Sequence, residues 1–352
     1  MRKILILIFI FLVSTGSSFS IEEEIRLADS IEFEINPYEA KKVLFKNSVV
    51  DEFSPVLNFR GVYEADISDE KDSFKYPFVL EGGGEVKFGE SKNKIRVVSN
   101  FTRNVDGFHH KFLGKLSDVY FEKNINENHK FLIGNARVPF GFEGSKSTYK
   151  LMFSNRAQIG ENFNDARALG IKYTGRFDGL EFSAGGYSAT RYMQNITEGA
   201  EFAAWVNYKP FYKESHILRD LKIGAGADIG VLDNGYGVYG AGIEWQNKKI
   251  LLNAEYAYAN GSNASEYNKN KQQGFYTTAA YNLTDKLQAA VRYDVFDSNT
   301  KSADSTIQKY TAGFNYYIFK ERLRFGLDYT YTKNPGLNND TNSVRFLTQV
   351  MI

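Results

Sequence analysis

The chain contains no cysteine, which removes disulfide frameworks, thiolate metal sites and cysteine nucleophiles together. Its four histidines, His109, His110, His129 and His216, are scattered and lack the i, i+4 spacing of a helical zinc motif. Only 6 prolines occur in 352 residues, so little of the chain reads as linker. Beyond the first twenty residues no apolar run approaches the roughly 18 residues that a membrane-crossing helix needs. Neither sign of charge dominates, with 43 basic against 42 acidic residues. A nucleic-acid partner, which requires a concentrated basic face, is not expected.

Aromatic residues are abundant instead. The 29 Phe and 23 Tyr, against 2 Trp, bring the aromatic share to 15%, alongside 30 Gly. Combined with a mean hydropathy of −0.39, this suits a sheet that shows rings to lipid on one face and polar groups on the other.

The first twenty residues have the order of a secretory signal: Arg2 and Lys3, an apolar run from Ile4 to Val13, then small residues ending Ser18-Phe19-Ser20. That run is too short to cross about 30 Å of hydrocarbon, so residues 1–20 read as a cleaved signal peptide. Its removal lowers the basic count to 41 against 42 acidic, a net charge of −1. About 330 residues remain, enough for one large β architecture.

From about residue 55 onward every second residue is apolar or aromatic, in segments separated by polar turns. The clearest run sets Leu221, Ile223, Ala225, Ala227, Ile229 and Val231 against Lys222, Gly224, Gly226, Asp228 and Gly230, and period two means strand. Sixteen runs are present, at about 55–66, 77–89, 93–104, 114–124, 128–138, 167–175, 179–189, 199–208, 220–232, 235–246, 249–259, 272–283, 286–297, 306–319, 321–333 and 342–352. Soluble strands average five to six residues, whereas tilted outer-membrane strands need about 9–11.

The expected fold is therefore all-β, a transmembrane antiparallel β-barrel of about 16 strands. Lipid cannot satisfy an open sheet edge, and sixteen strands enclose a lumen too wide for side chains to fill. Short turns such as Asp233-Asn234, Gln246-Asn247-Lys248, Thr284-Asp285 and Lys320 are assigned to one rim, and longer connections at 260–271, 298–305, 334–341 and 139–166 to the other. Residues 21–54, with Glu22-Glu23-Glu24, read as an N-terminal periplasmic or lumenal extension before a barrel at 55–352.

Two stretches imitate nucleotide sites. Gly224 through Gly230 has G-x-G-x-x-x-G spacing inside a strand, without the strand-to-helix turn a dinucleotide needs. Gly144-Ser145-Lys146-Ser147-Thr148 resembles part of a phosphate loop, but Ser145 separates Gly from Lys and Pro139 stands in place of the first glycine. No cofactor is implied.

Residues 134–187, GNARVPFGFEGSKSTYKLMFSNRAQIGENFNDARALGIKYTGRFDGLEFSAGGYS, resemble the central block of the phosphate-selective porin O and P family. The resemblance rests on Pro139-Phe140-Gly141, Phe153 with Arg156, Arg167, Leu169-Gly170, and Gly175 through Gly179. Ile352 departs from the terminal aromatic usual in outer-membrane barrels. The resemblance implies an outer-membrane homotrimer of a diderm bacterium, in contact with lipid, whose third extracellular loop folds inward. It also implies that basic side chains near that loop select anions such as phosphate.

The candidate constriction residues are Arg137, Lys146, Lys150, Arg156 and Arg167, opposed locally by Glu143, Glu161 and Asp165. In this reading Lys146 and Lys150 line the pore, while the three arginines anchor the loop or extend the anion path. On the lumen parity of the wall stand nine basic residues, including Arg60, Arg96, Lys222, Arg292 and Arg324, and twelve acidic ones, including Glu244, Glu255, Asp294 and Asp328. The expected function is passive diffusion of small hydrophilic solutes or anions, without chemistry. A barrel-type surface adhesin or receptor is the alternative. Mass spectrometry of the exported protein is expected to find a mature chain beginning at Ile21; retention of Met1–Ser20 contradicts the signal reading.

Overall fold

The computed structural model describes residues 50–351, apart from 68–72, 107–108, 165, 192, 194, 215–216, 264–266, 320–321 and 338–339. The leader, the extension through residue 49, Asp165, His216, Lys320 and Ile352 thus lie outside the described residues.

Alternation along the chain folds into strands β1 (Glu52–Asp66), β2 (Ser73–Lys75), β3 (Phe78–Phe88), β4 (Asn93–Asp106), β5 (His109–Asn124) and β6 (His129–Arg137). After the long connection come β7 (Arg167–Phe177), β8 (Leu180–Ser188), β9 (Ala200–Tyr208), β10 (Lys222–Val231), β11 (Gly235–Gln246) and β12 (Ile250–Asn263). The chain ends with β13 (Tyr267–Asn282), β14 (Leu287–Asp297), β15 (Thr306–Tyr317), β16 (Leu323–Lys333) and β17 (Thr341–Met351). β2 has 3 residues; the other sixteen have between 9 and 16, long enough to cross a bilayer when tilted.

Each long strand pairs antiparallel with its sequence neighbours, and β1 pairs with both β3 and β17. In that closing seam Asn58 faces Met351 and Asp66 faces Ser343, and Arg345 reaches Glu64 at 2.8 Å. The sheet is a closed barrel of sixteen long strands with no free edge, the arrangement lipid requires.

The two faces differ as the alternation demands. In β14, Val291 is 56% exposed while its neighbour Arg292 is 5% exposed and Asp294 is fully buried. Ile223, Ile243, Phe314 and Leu327 continue the apolar exposed face around the ring, and Asp228, Glu255, Arg324 and Asp328 the buried polar one.

Several boundaries differ from the sequence reading. β1 begins at Glu52, inside the span assigned to the extension. The 260–271 passage is largely not a loop: β12 and β13 keep pairing beyond Asn260, across a register shift where Gly261 takes φ 73°. Strand order puts Asp233-Asn234, between β10 and β11, on the rim of the long connections rather than among the short turns. The opposite rim carries the 209–221 connection, longer than its neighbours there. Turn length follows local chemistry, and only strand parity assigns a rim.

Placing a charge on the apolar face tests its contact with lipid. Val291→Arg is expected to cost about 2–4 kcal/mol in urea unfolding from lipid vesicles if the site lies near the bilayer centre; an effect within about 0.5 kcal/mol contradicts that placement.

Candidate functional site

The connection between β6 and β7, residues 138–166, is irregular. Gly141 turns it at φ 74°. Ser145 Oγ then donates to the Gly141 carbonyl at 2.6 Å, and the Lys146 N–H closes a turn on the Glu143 carbonyl at 3.2 Å. A single 3-10 turn, Thr148–Lys150, is capped by the Ser147 hydroxyl, and Gly160–Asn164 form a short π-helical turn. Such a backbone leaves N–H and C=O groups without helix or ladder partners, and these must be satisfied elsewhere.

The polar face of the wall supplies the partners, divided by charge. Carboxylates take the N–H groups. Glu255 accepts from Phe142 at 2.9 Å and Glu143 at 3.4 Å, Asp328 from Ser154 at 2.6 Å, and Asp294 from Gln158 at 2.9 Å. Arginines and amides take the carbonyls. Gln349 donates to Tyr149 O at 2.9 Å, Arg324 to Leu151 O, Asn315 to Met152 O at 3.0 Å, and Arg60 to Ser154 O. Arg292 donates to Asn155 O at 3.1 Å and Arg156 O at 3.3 Å. Buried hydrogen bonds to charged groups are worth about 1.5–3 kcal/mol each.

Apolar packing fixes the same segment. Phe140 and Phe142 meet Trp205 edge-on with centroids 5.4 and 5.5 Å apart. They belong to a buried cluster with Ile159, Phe163, Tyr276 and Phe296. Glycine makes the space: a Cβ on Gly240 would fall 2.9 Å from Phe140, and one on Gly224 2.7 Å from Phe142. Gly224, part of the apparent dinucleotide motif, is thus a seat for an aromatic ring. Burial pushes the Tyr149 hydroxyl up from its ordinary range, with the Glu81 carboxylate adding to the effect. The hydroxyl stays protonated and meets Asn58 O at 3.3 Å.

Four of the five candidate basic residues meet around one turn. Arg137 donates to Gly144 O at 3.0 Å, and Arg156 donates to Glu143 O and, at 2.7 Å, to Lys146 O, so these two hold the turn that presents Lys146. The Lys146 ammonium reaches Glu244 on β11 at 2.7 Å. Lys150 is exposed and makes no ion pair among the described residues. A cavity of about 180 Å3 brings Lys146 and Lys150 beside Glu143, Asn253 and Arg324. Arg167 stands apart, bonded to Asp118 at 2.9 Å.

The wall charges are not a diffuse field of nine cations against twelve anions. Glu122 lies between Lys94 at 3.3 Å and Lys130 at 3.0 Å, Asp118 between Arg96 at 3.1 Å and Arg167 at 2.9 Å, and Arg191 meets Glu201 at 2.6 Å. Lys94, Lys130 and Arg191 escaped the sequence reading. Lys94 was legible, being two residues from Arg96 on the same strand; Arg191, in the β8–β9 connection, carries no parity signal.

Residues 213–352 match the model of the phosphate-selective porin O and P family. It is the family that residues 134–187 resemble, reached here through a different part of the chain. No curated protein matches in sequence. Among solved structures, OprB of Pseudomonas putida aligns with TM-score 0.67 at 8% identity, over 85% of this chain and 94% of that one. OmpF of Salmonella typhi gives 0.63 at 14%, over 85% and 97%. The anion-selective porin of Comamonas acidovorans gives 0.56 at 14%, over 85% and 98%. At such identities the likeness is one of fold: the barrel is that of outer-membrane porins.

Loss of one carbonyl clamp is expected to loosen the connection before the barrel. With Arg324→Met, cleavage within residues 138–166 by an added protease should accelerate about tenfold or more, the equivalent of one lost charged hydrogen bond. An unchanged rate in a folded barrel contradicts the bracing role of the arginine.

Proposed function

We propose that the chain is an outer-membrane porin through which small hydrophilic solutes diffuse passively. The observation that carries this reading is the closed ring of sixteen long strands with an apolar exposed face and an ion-paired polar one. The family match over residues 213–352 supports it. An interior of this width must hold water, because side chains cannot fill it.

The β6–β7 connection folds inward and narrows the lumen. In support, one segment of fewer than thirty residues bonds to side chains of β1, β12, β14, β15, β16 and β17. A short segment reaches strands so spread around a closed ring only from inside it. Passage of anions is favoured at Lys146 and Lys150, Lys150 making no ion pair among the described residues; Arg137 and Arg156 hold the turn rather than meet solute. Assembly as a homotrimer is part of the same reading, supported by a solved relative of the fold, OmpT of Vibrio cholerae, described in a trimer form.

Reconstitution in a planar lipid bilayer tests the reading. Stepwise conductance in groups of three is expected, and a folded barrel that never conducts contradicts it. Lys150→Glu is expected to lower the anion-to-cation permeability ratio, read from the reversal potential in a salt gradient, at least about twofold. A wild type that already prefers cations contradicts the anion preference.

A further inference from the structure

Among the described residues, Glu244 lies between two lysines that pair with no other carboxylate. Its side chain is 9% exposed and lies 2.7 Å from Lys146 and 2.8 Å from Lys222. Asn253 donates to the same carboxylate at 3.0 Å. Lys222 and Asn253 are its direct cross-strand neighbours on β10 and β12, so the wall fixes the carboxylate from both sides. Lys146 is the one partner that comes from the β6–β7 connection.

The other bridged carboxylates each share at least one of their cations. Glu85 lies 3.7 Å from Lys94 and 3.5 Å from Arg96, which also serve Glu122 and Asp118. Glu52 and Glu85 both approach Lys87. This belt, running from β1 across β3 to β7, alternates in sign along its length. At Glu244 no second carboxylate meets either lysine among the described residues. One negative charge there faces two positive ones.

Exposure ranks the three groups in the order a solute meets them. The Lys146 and Lys222 side chains are 36% and 26% exposed, well above Glu244. The arrangement leaves a net single positive charge, presented by two ammonium groups and backed by a recessed carboxylate. Charges this close to one another and partly withdrawn from water interact more strongly than charges spread along the wall.

We infer that Glu244 is the specificity-determining carboxylate of this channel: it cancels one of the two lysine charges and so sets how strongly the constriction prefers anions. The inference rests on the channel reading above. Glu244 needs no contact with solute to act, since it works through Lys146 and Lys222. Its strength therefore appears in ion preference rather than in pore size.

The test is the reversal potential of the full chain in a planar bilayer under a potassium chloride gradient. Glu244→Gln keeps the shape and the hydrogen bond from Asn253 while uncovering the second positive charge. It is expected to raise the anion-to-cation permeability ratio at least about twofold, most clearly at low salt. Lys222→Gln leaves Lys146 and Glu244 as a neutral pair and is expected to lower the ratio by a similar factor. Should Glu244→Gln fail to form a barrel, the Lys222→Gln result decides alone. A carboxylate that merely tethers the connection would alter conductance and current noise with the ratio unchanged, and that outcome overturns the inference. A wild type that does not conduct fails the channel reading itself, whereas a conducting wild type whose variants keep its ratio fails only the role given to Glu244.

Discussion

In hydrocarbon, every backbone N–H and C=O must find a partner within the protein. The strands meet this constraint by pairing, and the β6–β7 connection, held on the polar face, has to satisfy its own buried groups by other means. The sixteen long strands close on one another, with β1 paired to β17, so the ladder has no end. The β6–β7 connection cannot use a ladder, and the wall lends it side chains: Glu255, Asp294 and Asp328 for its N–H groups, Arg60, Arg292, Arg324, Asn315 and Gln349 for its carbonyls. Much of the charge on the polar face is thereby committed to holding backbone.

That commitment changes how the charges count electrically. An arginine bonded to a carbonyl keeps its positive charge but is buried, as Arg324 is at 2% exposure, and its field is offset by nearby carboxylates that hold the adjacent N–H groups. On the proposed channel reading, solute meets what remains: the alternating belt of β1 and β3 to β7, the Lys146–Glu244–Lys222 group, and Lys150. In such a channel, ion preference depends on a few local imbalances, because paired charges at 3 Å cancel over the distance at which a hydrated ion passes.

Strand existence, length and parity were legible because period two is a local property. All sixteen long strands lie where alternation placed them, and the apolar faces of β10, β14 and β16 were readable residue by residue. Rim assignment failed at Asp233-Asn234 because a turn does not encode which side it is on. The candidate site was half legible. Lys146, Lys150, Arg137 and Arg156 stood out as a basic cluster in an irregular passage, and the structure gathers them around one turn. Their partners were hidden, since Glu244 is 98 positions from Lys146 and nothing local marks one wall carboxylate over another. Gly224 shows the same limit: its smallness was plain, but the Phe142 ring it admits comes from a distant segment.

The proposed channel depends on the β6–β7 connection lying across the inner face of the barrel. Its most direct measurement is a cross-link between cysteines placed at Ser154 and Asp328, where the Ser154 N–H meets the carboxylate at 2.6 Å. The chain has no native cysteine to interfere. The Ser154→Cys, Asp328→Cys protein, folded in lipid vesicles, is predicted to join in high yield through a short bifunctional thiol reagent. Two thiols that are each modified separately and never joined, in a barrel shown to be folded, would contradict it.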